Sequence, residues 1–205
     1  MQLHNHVRKE FRMNVHRYTI EDGIIEYYHF LSKHDRLYYY KYFEKHLNWY
    51  QDSIKMFGKK HKIPRLQAWY ADTDKDYSYS GIKLKNNDWD EKLLEIKSKI
   101  ENQTQLSFNS VLANLYRDGA DSNGWHSDDE KELGRNPVIA SLSLGEPRFF
   151  HLRRKADRKN KQKILLENGS LLVMKGAMQH FWQHQIAKTK KQKKARINLT
   201  FRYII

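Results

Sequence analysis

The 205-residue chain predicts a mainly β fold with flanking helices, an α+β domain built on short strands. Three observations carry that prediction. Hydrophobic alternation has a period of two after residue 105, turn signals separate those runs, and two earlier stretches repeat their apolar residues at helical spacing. With 39% hydrophobic and 13% aromatic residues, a chain of this length can build one substantial core.

In chain order, Ser32 followed by Asp35 is a capping signal. Leu37, Tyr40, Phe43 and Leu47 then recur at near-helical spacing, which predicts a helix over about 33–47 with that stripe in the core. A second helix is predicted from Asn87 or Asp88 as cap, acidic residues in the first turn, and Leu93, Ile96 and Ile100 on one face. Over 108–116 the period becomes two, with Leu112, Asn114 and Tyr116 sharing a face. Segments 138–144, 148–152, 171–174 and 196–204 read as further strands, with turns at Asp118-Gly119, Gly145-Glu146-Pro147 and Asn168-Gly169. There is no Gly-rich phosphate loop and no βαβ alternation, so the set suits a closed or two-sheet β architecture. Three prolines, no low-complexity linker and no repeat argue for one structural domain, with 1–50 as an N-terminal extension carrying the first helix.

Lys and Arg number 38 against 24 Asp and Glu, a net +14 that predicts a polyanionic partner such as nucleic acid or an acidic membrane surface. The absence of cysteine excludes disulfides, zinc ribbons, iron–sulfur ligation and thiol nucleophiles, so any metal must sit on His, Asp or Glu. The N-terminus carries no apolar leader, and no stretch approaches the roughly 18 apolar residues of a membrane span. A soluble intracellular protein is the expectation.

Two segments suggest chemistry. In the last strand, alternation puts Arg196, Asn198, Thr200 and Arg202 on one face and Ile197, Leu199, Phe201 and Tyr203 on the other. The polar face is either solvated or lines an internal site where a guanidinium fork grips a carboxylate. His126-Ser127-Asp128 is a His-x-Asp, which on an extended strand places both side chains on one side, with His180 and His184 as candidates for a third ligand. Two His and one carboxylate leave coordination positions open for a co-substrate and O2, as in non-haem Fe(II) enzymes. The competing reading has His126 capping a turn and Asp128 paired with a lysine.

The motifs Asn-Leu-Tyr-Arg-Asp-Gly-Ala-Asp (114–121), Trp-His-Ser-Asp-Asp-Glu (125–130), Ile-Ala-Ser-Leu-Ser-Leu-Gly (139–145), Gly-Ser-Leu-Leu-Val-Met (169–174), Trp-Gln-His (182–184) and Arg-Ile-Asn-Leu-Thr-Phe-Arg (196–202) occur in this order. In them, over roughly 57–205, the chain resembles the AlkB family of Fe(II) and 2-oxoglutarate dependent dioxygenases, which repair alkylated bases. The resemblance implies a double-stranded β-helix, or jelly roll, over 106–205 with a nucleotide-recognition lid and supporting helix over 51–105. It implies Fe(II) on His126, Asp128 and His184, with His180 a bystander. It implies 2-oxoglutarate as co-substrate, its C5 carboxylate clamped by Arg196 with Asn114 and Tyr116, while Asn198, Thr200 and Arg202 belong to the same pocket.

The same resemblance implies oxidative dealkylation of bases of the 1-methyladenine and 3-methylcytosine type in DNA, using O2. A flipped or single-stranded base would then meet the aromatic residues Trp69, Tyr77 and Tyr79 of the lid, and acidic Asp129 and Glu130 would suit a cationic lesion. Phe57 looks like a finger that fills the hole left by a flipped base, and Lys59, Arg65, Arg153 and Arg154 are expected on phosphates. Other markers, among them Trp-His-Ser-Asp-Asp-Glu, look closer to the branch that prefers single strands and accepts RNA, so strand preference stays open. The alternatives are an RNA demethylase, another oxygenase of the same fold, and a non-catalytic nucleic-acid-binding module. A monomer without membrane attachment is expected, in the cytoplasm of a bacterium or the nucleus of a eukaryote.

Overall fold

Both faces of the last strand are buried, and the rest of the architecture explains why. The computed structural model describes residues 8–12, 15–20, 22–56, 58–72, 78, 79 and 82–205, with the backbone alone for 8–12, 55, 56, 78, 79, 82 and 83. In chain order the elements begin with β1 (Arg8–Arg12), β2 (Val15–Ile20), β3 (Gly23–His29) and helix α1 (Lys33–His46). Next come β4 (Ser53–Met56), β5 (Lys59–Lys62), β6 (Leu66–Ala71), β7 (Ser78–Tyr79), β8 (Ile82–Lys83), β9 (Asn86–Asn87) and α2 (Glu91–Thr104). The remainder are β10 (Ser110–Tyr116), β11 (Asn123–His126), β12 (Ile139–Gly145), β13 (Arg148–Arg154), β14 (Lys161–Leu166), β15 (Ser170–Lys175), α3 (Met178–Phe181), β16 (Trp182–Ile186) and β17 (Arg196–Arg202).

The described strands form a major sheet in the order β1-β2-β3-β15-β12-β17-β10-β6-β9, a minor sheet in the order β11-β16-β13-β14, and two hairpins, β4-β5 and β7-β8. This is the two-sheet β architecture with flanking helices that the alternation predicts, and it suits a jelly-roll oxygenase core. One apolar layer lies between the sheets, with Leu112, Phe150, Leu152, Met174 and Trp182. A second lies behind the major sheet, where Leu142, Ile197, Leu199 and Phe201 meet Phe43 of α1 and Leu93, Ile96 and Ile100 of α2. Each such fully buried side chain contributes roughly 1.5–3 kcal/mol. The helices cover one face of β17, so its polar residues point into the space between the sheets.

The helix predicted over 33–47 is α1, capped as expected by Ser32, whose Oγ accepts from the Asp35 N–H. Its buried face is Tyr39, Phe43 and Leu47, whereas Leu37 is 54% exposed. The core stripe therefore runs through Tyr39 rather than Leu37 and Tyr40, because a Tyr39–Phe43 ring stack at helical spacing anchors it. α2 is capped by Asp90, which accepts from the Lys92 and Leu93 N–H groups. Asn87, one of the two expected caps, is used in β9, where its Nδ2 donates to the Trp69 carbonyl.

Periodicity predicts no strand before α1, but β3 pairs with β15 from Ile24 to His29 and extends the major sheet. Ile25 to Tyr28 are all buried, so this segment has no alternation to detect.

Candidate active site

The site forms where the inner faces of the two sheets meet. β11 and β16 run antiparallel with His126 opposite His184, and the extended chain after β11 carries Asp128 to the same side. The two imidazoles meet edge to face with centroids 4.2 Å apart. His184 Nε2 lies 3.9 Å from Asp128 Oδ2. One ligand atom from each of the three residues falls within 4.8 Å of the others, and among the described residues no other His, Asp and Glu group does so. His180 is exposed on α3 and stays outside this group.

The surroundings prepare these side chains for a cation. His126 Nδ1 lies 2.7 Å from the Gly124 carbonyl, and donating there makes Nε2 the acceptor, which takes a hydrogen bond from Asn123 Nδ2 at 3.2 Å and is the atom a metal would bind. Burial pushes the His184 pKa down to about 3 and lowers that of His126, so both rings are neutral at physiological pH. For Asp128 burial works to raise the pKa, but Arg202 and the two imidazoles outweigh it and hold the carboxyl below its ordinary value. Two neutral imidazoles and one carboxylate facing one cavity suit a six-coordinate ion such as Fe(II) with positions left open. The Asp128 N–H donates to Gln179 Oε1 at 3.0 Å, and Ser127 Oγ donates to the Trp182 carbonyl at 2.8 Å, which fixes the loop.

The same cavity is lined by Asn114, Tyr116, Arg196, Asn198, Thr200 and Arg202. Arg196 is 1% exposed. Its Nη2 donates to Ser143 Oγ at 2.8 Å and to Asn198 Oδ1 at 2.7 Å. Its Nε and Nη1 make no hydrogen bond. Two buried, unpaired donors on one guanidinium cost about 1–3 kcal/mol each, and an anionic group entering the cavity would relieve that cost. Burial lowers the Arg196 pKa to about 10, still far above neutral pH. The Tyr116 ring sits 5.3 Å from the Arg196 guanidinium carbon and 5.9 Å from that of Arg148. Asn198 is spent on Arg196, on Ser141 Oγ and on Thr200 Oγ1, so it aligns the fork. The residues therefore fit a dicarboxylate beside a metal.

The base-contact and DNA-contact expectations fare differently. Phe57 and Tyr77 lie outside the described residues, and Tyr79 is described only as backbone in β7. Trp69 is 1% exposed and packed in the layer between the sheets, opposite Leu112 in register, so the structure gives it a core position rather than an open stacking face. Asp129 is exposed and paired with Lys155 at 2.9 Å. Glu130 is half-buried, and burial followed by the Asp128 charge raises its pKa to about 7. Lys59 is exposed on the β4-β5 hairpin. Arg65 is not a surface cation: it is 5% exposed, and its Nε donates to Asn114 Oδ1 at 2.8 Å. That contact leaves the Asn114 amide nitrogen to donate elsewhere. Arg153 lies over the Trp125 ring at 4.3 Å, and Arg154 pairs with Asp22 at 2.8 Å.

Three further residues of the site are given no role by the sequence reading, although Ser141 and Ser143 lie within the 139–145 motif. Ser141 and Ser143 face Thr200 and Asn198 across the β12-β17 register, and the period-two logic that applies to β17 finds them when it is extended to β12. Gln179, part of the Gly-Ala-x-Gln-x-x-Trp-Gln-His stretch at 176–184, is 1% exposed and acts from a four-residue helix through a side chain to backbone contact, which residue order does not reveal.

The family model described as 2OG-Fe(II) oxygenase superfamily matches residues 23–202. The chain is 47% identical over 150 residues to alpha-ketoglutarate-dependent dioxygenase alkB homolog 3 of Bos taurus, which covers 69% of this chain and 52% of that protein. It is 38% identical over 159 residues to DNA oxidative demethylase ALKBH2 of Bos taurus, covering 74% and 57% respectively. The chain thus spans about half the length of these relatives. A solved structure, "The structure of OsALKBH1", superposes with a TM-score of 0.64 over 90% of this chain and 99% of that one, at 19% identity, which speaks for the fold. A match running from β3 to the end of β17 takes in every residue of the metal and carboxylate halves of the cavity, and the chain belongs to the 2OG-Fe(II) oxygenase superfamily, on its AlkB branch.

Proposed function

We propose that this chain is an oxidative nucleic-acid dealkylase that removes N-alkyl groups from bases of the 1-methyladenine and 3-methylcytosine type, with DNA as the principal substrate. The observation that carries this reading is one cavity holding both the His126, Asp128 and His184 group and the unpaired donors of the buried Arg196. Similarity to a DNA oxidative demethylase and a basic surface at net +14 support the choice of substrate.

Bound there, Fe(II) and 2-oxoglutarate would supply an O2-driven hydroxylation of the alkyl carbon on the base nitrogen, with succinate and CO2 as co-products. The chain's own residues do the positioning. Arg196 takes the distal carboxylate, with Ser143 and Asn198 holding the guanidinium in line. His126, Asp128 and His184 present the metal, and Arg202 steadies the carboxylate of Asp128. The hydroxylated carbon then leaves as an aldehyde and the unmodified base returns.

The test is base-resolved mass spectrometry of 1-methyladenine repaired in single-stranded DNA, duplex DNA and RNA of one sequence, competed in one reaction with Fe(II) and 2-oxoglutarate. Repair led by either DNA form supports the reading. Repair led by RNA moves the assignment to an RNA demethylase, and repair of none with normal succinate release contradicts a nucleic-acid substrate.

A further inference from the structure

The four strands of the minor sheet, Asn-Gly-Trp-His (β11), Trp-Gln-His-Gln-Ile (β16), Arg-Phe-Phe-His-Leu-Arg-Arg (β13) and Lys-Gln-Lys-Ile-Leu-Leu (β14), contain no acidic residue. Their burial alternates, and the inner set includes His184, Phe150 and Leu152. The outer set on β13 is Phe149, His151 and Arg153, and on β14 it is Leu165, Lys163 and Lys161. These outer residues face one another across the ladder as Phe149 with Leu165, His151 with Lys163, and Arg153 with Lys161.

The result is a surface of alternating rings and cations. Phe149 is 46% exposed and Leu165 40% exposed, and as ladder partners they form one contiguous apolar patch. Lys163 Nζ lies 5.1 Å from the centre of the Phe149 ring, and the His151 ring lies 6.3 Å from the same ring. At the other end, the Arg153 guanidinium lies 4.3 Å from the Trp125 ring, and its Nε and Nη2 both donate to Gln183 Oε1. Desolvation, followed by the nearby Lys163 charge, lowers the His151 pKa, which leaves an uncharged ring between the two cations.

Stacking surfaces interleaved with Lys and Arg on an open antiparallel sheet match the chemistry of a single-stranded nucleic acid, whose bases need flat apolar faces and whose phosphates need cations. The four strands carry no carboxylate to repel a polyanion, and Glu167, which borders the face beside Lys163 and Leu165, lies past the end of β14, 3.5 Å from His29 Nδ1. The platform is also continuous with the catalytic cavity. β16 carries His184 inward and Gln183 and Gln185 outward, and β13 pairs Leu152 with His184 and Arg153 with Gln183.

We propose that the outer face of the minor sheet, centred on Phe149 and Lys163, is a docking platform for single-stranded nucleic acid flanking the nucleotide held in the cavity. This rests on the dealkylase reading only in taking the substrate to be nucleic acid. Bases stack on Phe149 and the Leu165 side chain, Lys163 and Lys161 meet phosphates, and strands too short to leave the cavity do not reach the platform.

The test uses the full chain and unmodified single-stranded DNA of about 20 nucleotides, alongside a trinucleotide. In Phe149→Trp the new indole is expected to lose fluorescence on adding the long strand, beyond the change of the wild type, because a stacked base quenches it. In Phe149→Ala/Lys163→Ala the affinity for the long strand is expected to fall about ten-fold or more while trinucleotide affinity holds, and Phe149→Trp is expected to restore stacking where alanine does not. If the wild type binds the long strand and both variants bind it equally well, without extra quenching, the platform is overturned and the dealkylase reading stands. If the wild type binds no oligonucleotide, both fall. If the double variant instead changes sedimentation from a self-associated to a monomeric species, the face belongs to a second copy of the chain and the proposal is overturned.

Discussion

Arg202 Nη2 donates to Asp128 Oδ1 at 3.0 Å, between side chains that are 2% and 1% exposed. The residue that closes the last strand thereby steadies the carboxylate of the metal site, and β17 serves both halves of the cavity. Arg196 at its start holds the fork for a carboxylate, and Arg202 at its end holds the ligand for a metal.

Replacing Arg202 with Met should leave Asp128 a buried charge without its partner. The expected cost is about 3 kcal/mol in a chemical denaturation midpoint, since truncating one side of a buried pair costs roughly 3–5 kcal/mol. Unchanged stability in Arg202→Met would mean that Asp128 finds its compensation elsewhere.

Asp128→Ala separates chemistry from affinity. Metal binding and turnover should disappear, while binding to an unmodified oligonucleotide stays within about two-fold of wild type, because phosphate contacts dominate that affinity. Filter binding and aldehyde release, run on the same preparation, decide the matter.

Gln179→Leu removes the acceptor for the Asp128 N–H while preserving a buried side chain of similar size. Outer contacts of this kind are typically worth 10–100-fold, so a drop of about ten-fold in Mn(II) affinity by calorimetry is expected, with the melting temperature nearly unchanged. A fall in melting temperature without a change in affinity would make Gln179 a packing residue.

Glu26 tests the scaffold through pH. Burial works to raise its pKa, but Lys175 at 2.6 Å and Tyr28 at 2.9 Å lower it below the ordinary 4.5. A depressed folded-state pKa contributes stability that is present above the ordinary carboxylate range and is lost as pH falls through the folded value. Glu26→Gln should therefore cost about 1–2 kcal/mol near pH 7, and the difference from wild type should shrink as pH falls below the ordinary carboxylate range.

Gly145→Ala should be strongly destabilising. The residue has φ +86°, and a Cβ there would lie 2.6 Å from the Ala195 carbonyl and 2.7 Å from the Tyr40 ring. A non-glycine residue in this region costs about 1–3 kcal/mol before any clash with backbone, so a loss above about 2 kcal/mol in thermal or denaturant melts is expected.

Much of the site is legible in residue order because polar residues with period two are rare inside a core. Arg196, Asn198, Thr200 and Arg202 announce a polar face within an apolar strand, and the His126-x-Asp128 pair announces a cation. Residue order alone leaves open the choice between His180 and His184, which depends on the β11-β16 register that sets His184 opposite His126. Strand β3 is hidden because both its faces are buried, and periodicity misplaces the α1 stripe because Leu37 and Tyr39 are equally apolar by type. Arg65 shows the same limit from the other side. A cation in a basic chain reads as a phosphate contact until its burial and its bond to Asn114 are known.

The most direct measurement is the ratio of succinate to formaldehyde released from a 1-methyladenine oligonucleotide, with and without a strong chelator. Coupled release near one to one, abolished by chelation and by Arg196→Met, is expected from a single cavity that seats both the metal and the carboxylate. Formaldehyde release that survives chelation, or that continues undiminished in Arg196→Met, would contradict it.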